Sequence, residues 1–347
     1  MVHTRHQTDE DKAVWADVRE EARCSSSSSR LPCLAFYGEY HGHLIKHLDL
    51  LLPALRNSSS GRDRSVVWLC GDSTLDNKYW LPSTQLQPAI NGYERVLHPP
   101  KMAPDVAYWV NRELQERGLS AACVNCAVEE STLGGRVHEG LTLQDGFLAQ
   151  HVRSTDVVVV SAGGNDIALR PTLWTVLSMA TLIMMPRVLI EAGVAPGLGH
   201  FLRLFRGHTE RYVREILSGS AAGEKPGTAT AAGRAARRPR AVVACMLYFL
   251  DEASTPSWAS FTLRKLGYDS DPSKLQLIIR KMYELATCKV KLDGVTVVPL
   301  PFFETLDGKQ PLDYVQRVEP SAQGGQKMAR ALLERIEELL ADPSEVG

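Results

Sequence analysis

The chain has 347 residues, 44% hydrophobic and 23% charged, with 39 Lys plus Arg against 40 Asp plus Glu. This is an ordinary globular composition, long enough for one large domain with insertions. A formal net charge of -1 gives no bulk attraction to nucleic acid or to an anionic membrane, so nucleic acid is not expected as a partner.

From the N-terminus, residues 1–30 end in the serine run Ser25 to Ser29 and are expected to form a disordered arm. Residues 1–21 hold no apolar h-region, so no secretory leader is expected and a cytoplasmic location is. Residues 31–347 read as a single domain. A helix is expected over 42–55, with Leu44, Ile45, Leu48, Leu51 and Leu52 on one face, and a loop over 57–61. Five short apolar runs come next, at 65–70, 121–126, 156–161, 241–249 and 295–300. They show little alternation, as strands buried on both faces of a parallel sheet do. Helical segments separate or follow them, at 105–117, 144–154, 209–217, 272–287 and 322–340. Alternation of this kind predicts a three-layer α/β/α flavodoxin-like sandwich with a five-stranded parallel sheet. In such a sheet the ligand site lies beyond the carboxyl ends of the strands.

Two stretches interrupt the pattern. Residues 170–217 add apolar helices. The most apolar part, 174–190, is bracketed by Pro171 and Pro186 and broken by Arg187, and reads as a buried or lid helix too short to span a bilayer. Residues 219–240 read as a flexible loop, and the basic cluster 234–240 within it as solvated surface. The seven cysteines show no disulfide spacing, and a reducing compartment is the simpler reading. Cys123 and Cys126 form a C-x-x-C at the end of an expected strand, where a redox motif would instead open a helix.

The first strand is followed by Gly71-Asp72-Ser73-Thr74-Leu75-Asp76-Asn77. A serine at a strand-to-helix turn either caps the helix or exposes its hydroxyl beside backbone N–H groups that stabilise an oxyanion. The third strand is followed by Ala162-Gly163-Gly164-Asn165-Asp166. It is either a glycine turn with capping side chains or a loop whose Asn carboxamide donates to a developing negative charge.

Together, GDS after strand one and GGND after strand three resemble the GDSL/SGNH hydrolases, over about residues 65–341. The resemblance extends to Glu319-Pro320-Ser321-Ala322-Gln323-Gly324-Gly325, which is similar to the family's last block. It implies Ser73 as nucleophile and Asn165 as oxyanion donor, with Gly71, Asp72 and Gly164 shaping the site. It implies an ester substrate, lipid-like or otherwise, and no cofactor or metal. Two blocks depart from the pattern. Glu319 stands where the family has its catalytic His, and Gln316 where it has Asp, the nearest upstream Asp being Asp313. Glu130 replaces the second block's oxyanion Gly, although its backbone N–H still serves; Gly134 or Gly135 would serve if the loop were shifted.

Glu319 is therefore expected as the base, provided that burial or a neighbouring carboxylate such as Glu130 or Asp72 raises its pKa. A histidine from elsewhere is the alternative base, with His98, His41, His43 and His47 as candidates. The pair His43 and His47, at i and i+4, is read as a solvated helix face ahead of a metal site. Asp76 and Asn77 are expected to steady a helix turn, Asp166 to orient Asn165 and its loop, residues 248–252 to line the mouth, and Trp258 and Phe261 to pack in the core. The competing class is a catalytically silent ligand-binding protein on the same fold.

Overall fold

The computed structural model describes residues 30–57, 63–219, 238–253 and 255–341. The serine run and most of the 219–240 loop lie outside the described residues.

Five strands form one sheet: β1 (Ser65–Gly71), β2 (Ala121–Asn125), β3 (Val157–Ser161), β4 (Ala241–Met246) and β5 (Thr296–Pro301). All pair in parallel, in the order β2-β1-β3-β4-β5. This is the flavodoxin-like order, with the chain reversing direction across β1 and β3. Side chains alternate between faces. Val67 and Leu69 join one apolar cluster, and Val66, Trp68 and Cys70 join the other.

The main helices are α1 (Ile45–Arg56), α2 (Val106–Glu116), α3 (Leu143–His151), α4 (Leu173–Met184), α5 (Thr209–Ser218), α6 (Ser260–Lys265), α7 (Pro272–Leu285) and α8 (Ala322–Leu340). Helices α2 and α8 cover one face of the sheet through Val106, Val110, Met328 and Leu332. Leu48 and Leu51 of α1, Phe147 of α3, Tyr212 of α5 and Ile278 of α7 belong to the cluster on the other face. Helix α1 starts three residues later than expected, with Leu44 as its N-cap. Its last residue, Arg56, makes a bidentate ion pair with buried Asp156 at 2.5 and 2.6 Å. Asp156 also accepts from Val66 N and Trp68 Nε1, so it pins the start of β3 to β1 and α1.

Residues 170–217 are the expected helical insertion. It comprises α4, two short helices and a wider turn, Arg203–His208, that runs into α5. Among the described residues no helix is long and apolar enough to cross a membrane.

Candidate active site

The loops after β1, β2 and β3 meet at the carboxyl edge of the sheet. Gly71 ends β1 with φ 128°, and a Cβ there would lie 1.8 Å from the Ser161 carbonyl oxygen, so only glycine fits. The chain then turns tightly, with Leu75 N and Asp76 N both donating to the Asp72 carbonyl. A single 3-10 turn, Asn77–Trp80, comes next, in place of the α-helix expected there. Asp72 is buried, accepting from Thr74 N on one oxygen and from Gly163 N on the other. It therefore couples the serine loop to the GGND loop. Burial pushes its carboxyl up to about 6.

The second block is tied in from both sides. Asn125 donates to the Leu75 carbonyl. Arg136, paired with Asp145, donates to the Gly71 carbonyl and to Ser131 Oγ. Glu130 has φ 59°, in the left-handed region that favours glycine. The backbone there thus keeps a glycine-like course despite the substitution. Its side chain accepts from the Tyr40 hydroxyl at 3.0 Å and lies 3.6 Å from Arg170. Gly134 N donates to Asp166 and Gly135 N to Thr132, so neither is available for a ligand. Ser73 N and Glu130 N have no hydrogen-bond partner among the described residues. Asp166 orients the residues 133–134 backbone. Asn165 donates through Nδ2 to the Ser131 carbonyl and has a second N–H to offer.

The last block closes the site. The Ser73 side chain lies beside the Glu319 carboxylate at the cavity wall, and Glu319 Oε2 has no partner. Burial pushes the Glu319 carboxyl up to about 8; the Ser73 side chain opposes this, and Asp72 and Asp76 reinforce it. Glu130 is not among the charges that act on Glu319. Glu129 is buried beside it. Burial first, then Glu319 and Asp76, push Glu129 up to about 10. Asp76 pairs with buried Lys78 at 2.5 Å and accepts from Gly42 N and Glu129 N. Asn77 donates to the Pro320 carbonyl and accepts from Val106 N. Asp76 and Asn77 thus fasten neighbouring segments to the serine loop and cap no α-helix turn of their own. Their position just after GDS is the sequence signal for both.

The segment before Glu319 is bent sharply, with Gln316 at φ 53° and Arg317 at φ 68°. Arg317 is buried and holds this bend by donating to Asp269 and to the Asp251 carbonyl. Asp313 is buried away from the cavity, its carboxylate taken by Gln323 and Lys327. His98 is exposed on a two-residue strand beside Pro32. His43 and His47 are buried, correcting the reading of a solvated face. His43 stacks on Phe36 and bonds the Phe36 carbonyl, and burial lowers its pKa well below the usual value. His41 contacts the Glu129 carbonyl at 3.3 Å. Cys123 and Cys126 are buried, and burial pushes both thiols well above their usual range, leaving no thiolate for redox exchange.

Ser73, Asp72, Gly164, Asn165 and Glu319 line one cavity of about 110 Å³. No histidine lines it. Its other walls are mostly apolar, with Met179 from α4, Leu263 from α6, Ile279 and Met282 from α7, and Tyr248 and Trp258 between strand and helix. Trp258 therefore faces the cavity, and Phe261, expected in the core, is exposed. Among the described residues no group of three or more His, Cys, Asp or Glu side chains is arranged to hold a metal ion.

Ser73 follows strand one of a 2-1-3-4-5 sheet, Asn165 follows strand three, and Glu319 precedes the last helix. The architecture is the expected three-layer α/β/α sandwich with a five-stranded parallel sheet.

No family model and no curated protein matches the chain. Similar solved structures include a lipase/acylhydrolase from Enterococcus faecalis, with TM-score 0.39 and 12% identity, covering 80% of this chain and 97% of that one. A family 3 carbohydrate esterase from Clostridium thermocellum has TM-score 0.37 and 12% identity, covering 80% and 98%. The esterase EstA from Pseudoalteromonas has TM-score 0.38 and 11% identity, covering 80% and 100%. At such scores the likeness assigns no residue and no substrate to this chain.

Proposed function

We propose that the chain is a serine ester hydrolase acting on carboxylic esters with an apolar acyl group, with Glu319 as the base. The observation that carries this reading is the Ser73 side chain beside a buried carboxylate at the wall of an apolar cavity. In acylation, Ser73 Oγ attacks the ester carbonyl carbon as Glu319 takes its proton. The carbonyl oxygen becomes an oxyanion that accepts from Ser73 N, Glu130 N and the Asn165 side chain. The intermediate collapses, the C–O bond to the alcohol breaks, and Glu319 returns the proton to the leaving oxygen. Water then attacks the acyl-enzyme with Glu319 again as base, releasing the acid and Ser73. No cofactor enters these steps. Asp72, Asn77 and Arg136 act as positioning residues that hold the three loops together.

One observation favours the second reading, a ligand-binding protein without turnover: a carboxyl raised to about 8 is largely protonated at neutral pH and then takes no proton. The two readings separate in one experiment. Folded wild type and Ser73→Ala are treated with a fluorophosphonate probe at pH 7 and pH 9. Labelling of wild type alone, stronger at pH 9, is the expected result. Absence of labelling at both pH values would leave the binding reading standing.

A further inference from the structure

Helix α4 has no charged residue, and it is apolar on both sides. Its inner side buries Met179 and Leu182, and Met179 lines the Ser73 cavity. Its outer side carries Leu173, Trp174, Val176, Leu177 and Met184, of which Trp174 is 71% exposed. Positions 173, 177 and 184 follow the helical repeat, so they form one continuous stripe. Helix α6 repeats the arrangement on another wall of the cavity. Leu263 faces the cavity, and Phe261 points out with 66% exposure. Of eleven large hydrophobic residues exposed among the described ones, seven fall between 173 and 194 and an eighth is Phe261. Single exposed apolar residues are normal on a soluble protein, but a cluster around the walls of one cavity marks a surface that something covers.

Charge indicates what covers it. Residues 167–190 and 253–268 contain no acidic residue, and Glu191, Glu252, Asp269 and Asp271 flank them. Arg170, Arg187, Arg264 and Lys265 are exposed at their borders. Lys265 lies over the Phe261 ring, 4.4 Å from its centre. Arg170, Arg187 and Arg264 lie 3.6, 3.7 and 3.9 Å from Glu130, Asp271 and Asp269, and each of the three arginine side chains is exposed. Ion pairs of this length at a surface contribute little. The patch is therefore apolar at its centre and carries four exposed basic side chains at its rim, on a chain of net charge -1. A 12-residue helix is about 18 Å long, too short to cross a bilayer but long enough to lie in its interface. Trp174 and Phe261 are the side chains suited to the headgroup boundary.

We propose that the outer faces of α4 and α6 dock the protein on an anionic lipid surface, placing the mouth of the Ser73 cavity against the membrane from which the acyl ester is drawn. The substrate half of this statement rests on the hydrolase reading; the docking half does not.

The test is flotation of the full-length chain with vesicles of phosphatidylcholine containing phosphatidylglycerol, and with phosphatidylcholine alone. Wild type and Ser73→Ala are expected to float equally with the anionic vesicles, less with neutral ones, and less as salt is raised. Leu173→Ser, Trp174→Ser and Leu177→Ser combined are expected to cut the bound fraction at least about tenfold, given the transfer cost of three large apolar side chains. This variant should keep wild-type fluorophosphonate labelling of Ser73, which also shows that it folds. Failure of wild type to bind anionic vesicles overturns the proposal. So does a wild-type dimer in solution that the triple variant makes monomeric, which would assign the face to a second copy. Vesicle binding without any hydrolysis by wild type would retain docking and remove the hydrolase reading.

Discussion

The side chain of Ser73 lies beside the carboxylate of Glu319, two residues from opposite ends of the domain, inside the protein. The pairing exists because Asn77, four residues after the serine, grips the Pro320 carbonyl, one residue after the glutamate. This bond fastens the two loops beside the contact. The usual weakness of a carboxylate as a base is offset by burial, which raises its proton affinity.

Activity should follow the ionisation of this carboxylate. The base form of Glu319 grows as pH rises through about 8, so kcat/KM for a soluble ester should climb across pH 7–9. Glu319→Gln keeps the shape of the side chain and removes the base. It should lower kcat/KM by roughly 10² to 10⁴ and abolish the alkaline limb, a general-base contribution of ordinary size. Full activity in this variant would exclude Glu319 from the chemistry.

Stability should show the cost of the buried carboxyls. Asp72, Asp105, Glu319 and Glu129 are raised to about 6, 7, 8 and 10, in each case chiefly by burial. The folded state then holds protons that the unfolded chain releases above pH ~4.5. These groups therefore favour folding fully below that pH, and the benefit is lost stepwise as pH rises to about 10. His43, lowered by burial, acts at the other end and favours folding only above its unfolded pKa of ~6.5. Urea unfolding should give falling stability from pH 7 to pH 10. Glu129→Gln should match wild type below about pH 4.5 and exceed it by a growing margin as pH rises toward 10. Equal slopes for both proteins would contradict the burial of an ionising Glu129.

Glu130 offers a test of backbone against side chain. On the proposed mechanism its backbone N–H, at left-handed φ, donates to the oxyanion, while the carboxylate meets Tyr40 and Arg170. Glu130→Gly should therefore keep ester hydrolysis within about threefold, well short of the 10²-fold or larger loss that follows removal of an oxyanion donor. It should also relieve strain, offset in part by the greater freedom of glycine in the unfolded chain. A large loss of kcat at unchanged thermal stability would show that the carboxylate itself takes part.

Arg317 is the clamp behind the last block. Two successive non-glycine residues at positive φ cost roughly 1–3 kcal/mol each and persist only if their surroundings hold them. Arg317→Ala removes the bonds to Asp269 and to the Asp251 carbonyl, and leaves that carbonyl with an unfilled buried lone pair. Thermal stability should fall, and in the folded fraction kcat should fall more than KM changes, because Glu319 loses its placement and the apolar walls remain. Gln316→Gly in the same background should restore part of the stability. A variant with intact kcat would show that the bend needs no clamp.

The layered architecture and the order of the site loops are written in the sequence. Strands buried on both faces must be apolar at nearly every position, so Val157 to Val160 announce themselves without any partner in view. The last helix is equally local: Ser321 caps it through Gly324 N, and its bounds fall where the sequence places them. Gly71 and Asn165 are legible because few residue types serve a close approach or a neutral donor. The charges around Glu319 are set by packing alone. Glu129 and Glu130 are adjacent in sequence, yet the left-handed turn at Glu130 sends one carboxylate into the protein and the other toward Tyr40. His43 and His47 defeat a sequence reading for the same kind of reason, since an imidazole looks alike in sequence whether a Phe36 ring or water covers it. The outer face of α4 reads as core by hydropathy alone. Its exposure becomes visible only once packing has used its other side, because a hydrophobic side chain records what it avoids and not which neighbour shields it.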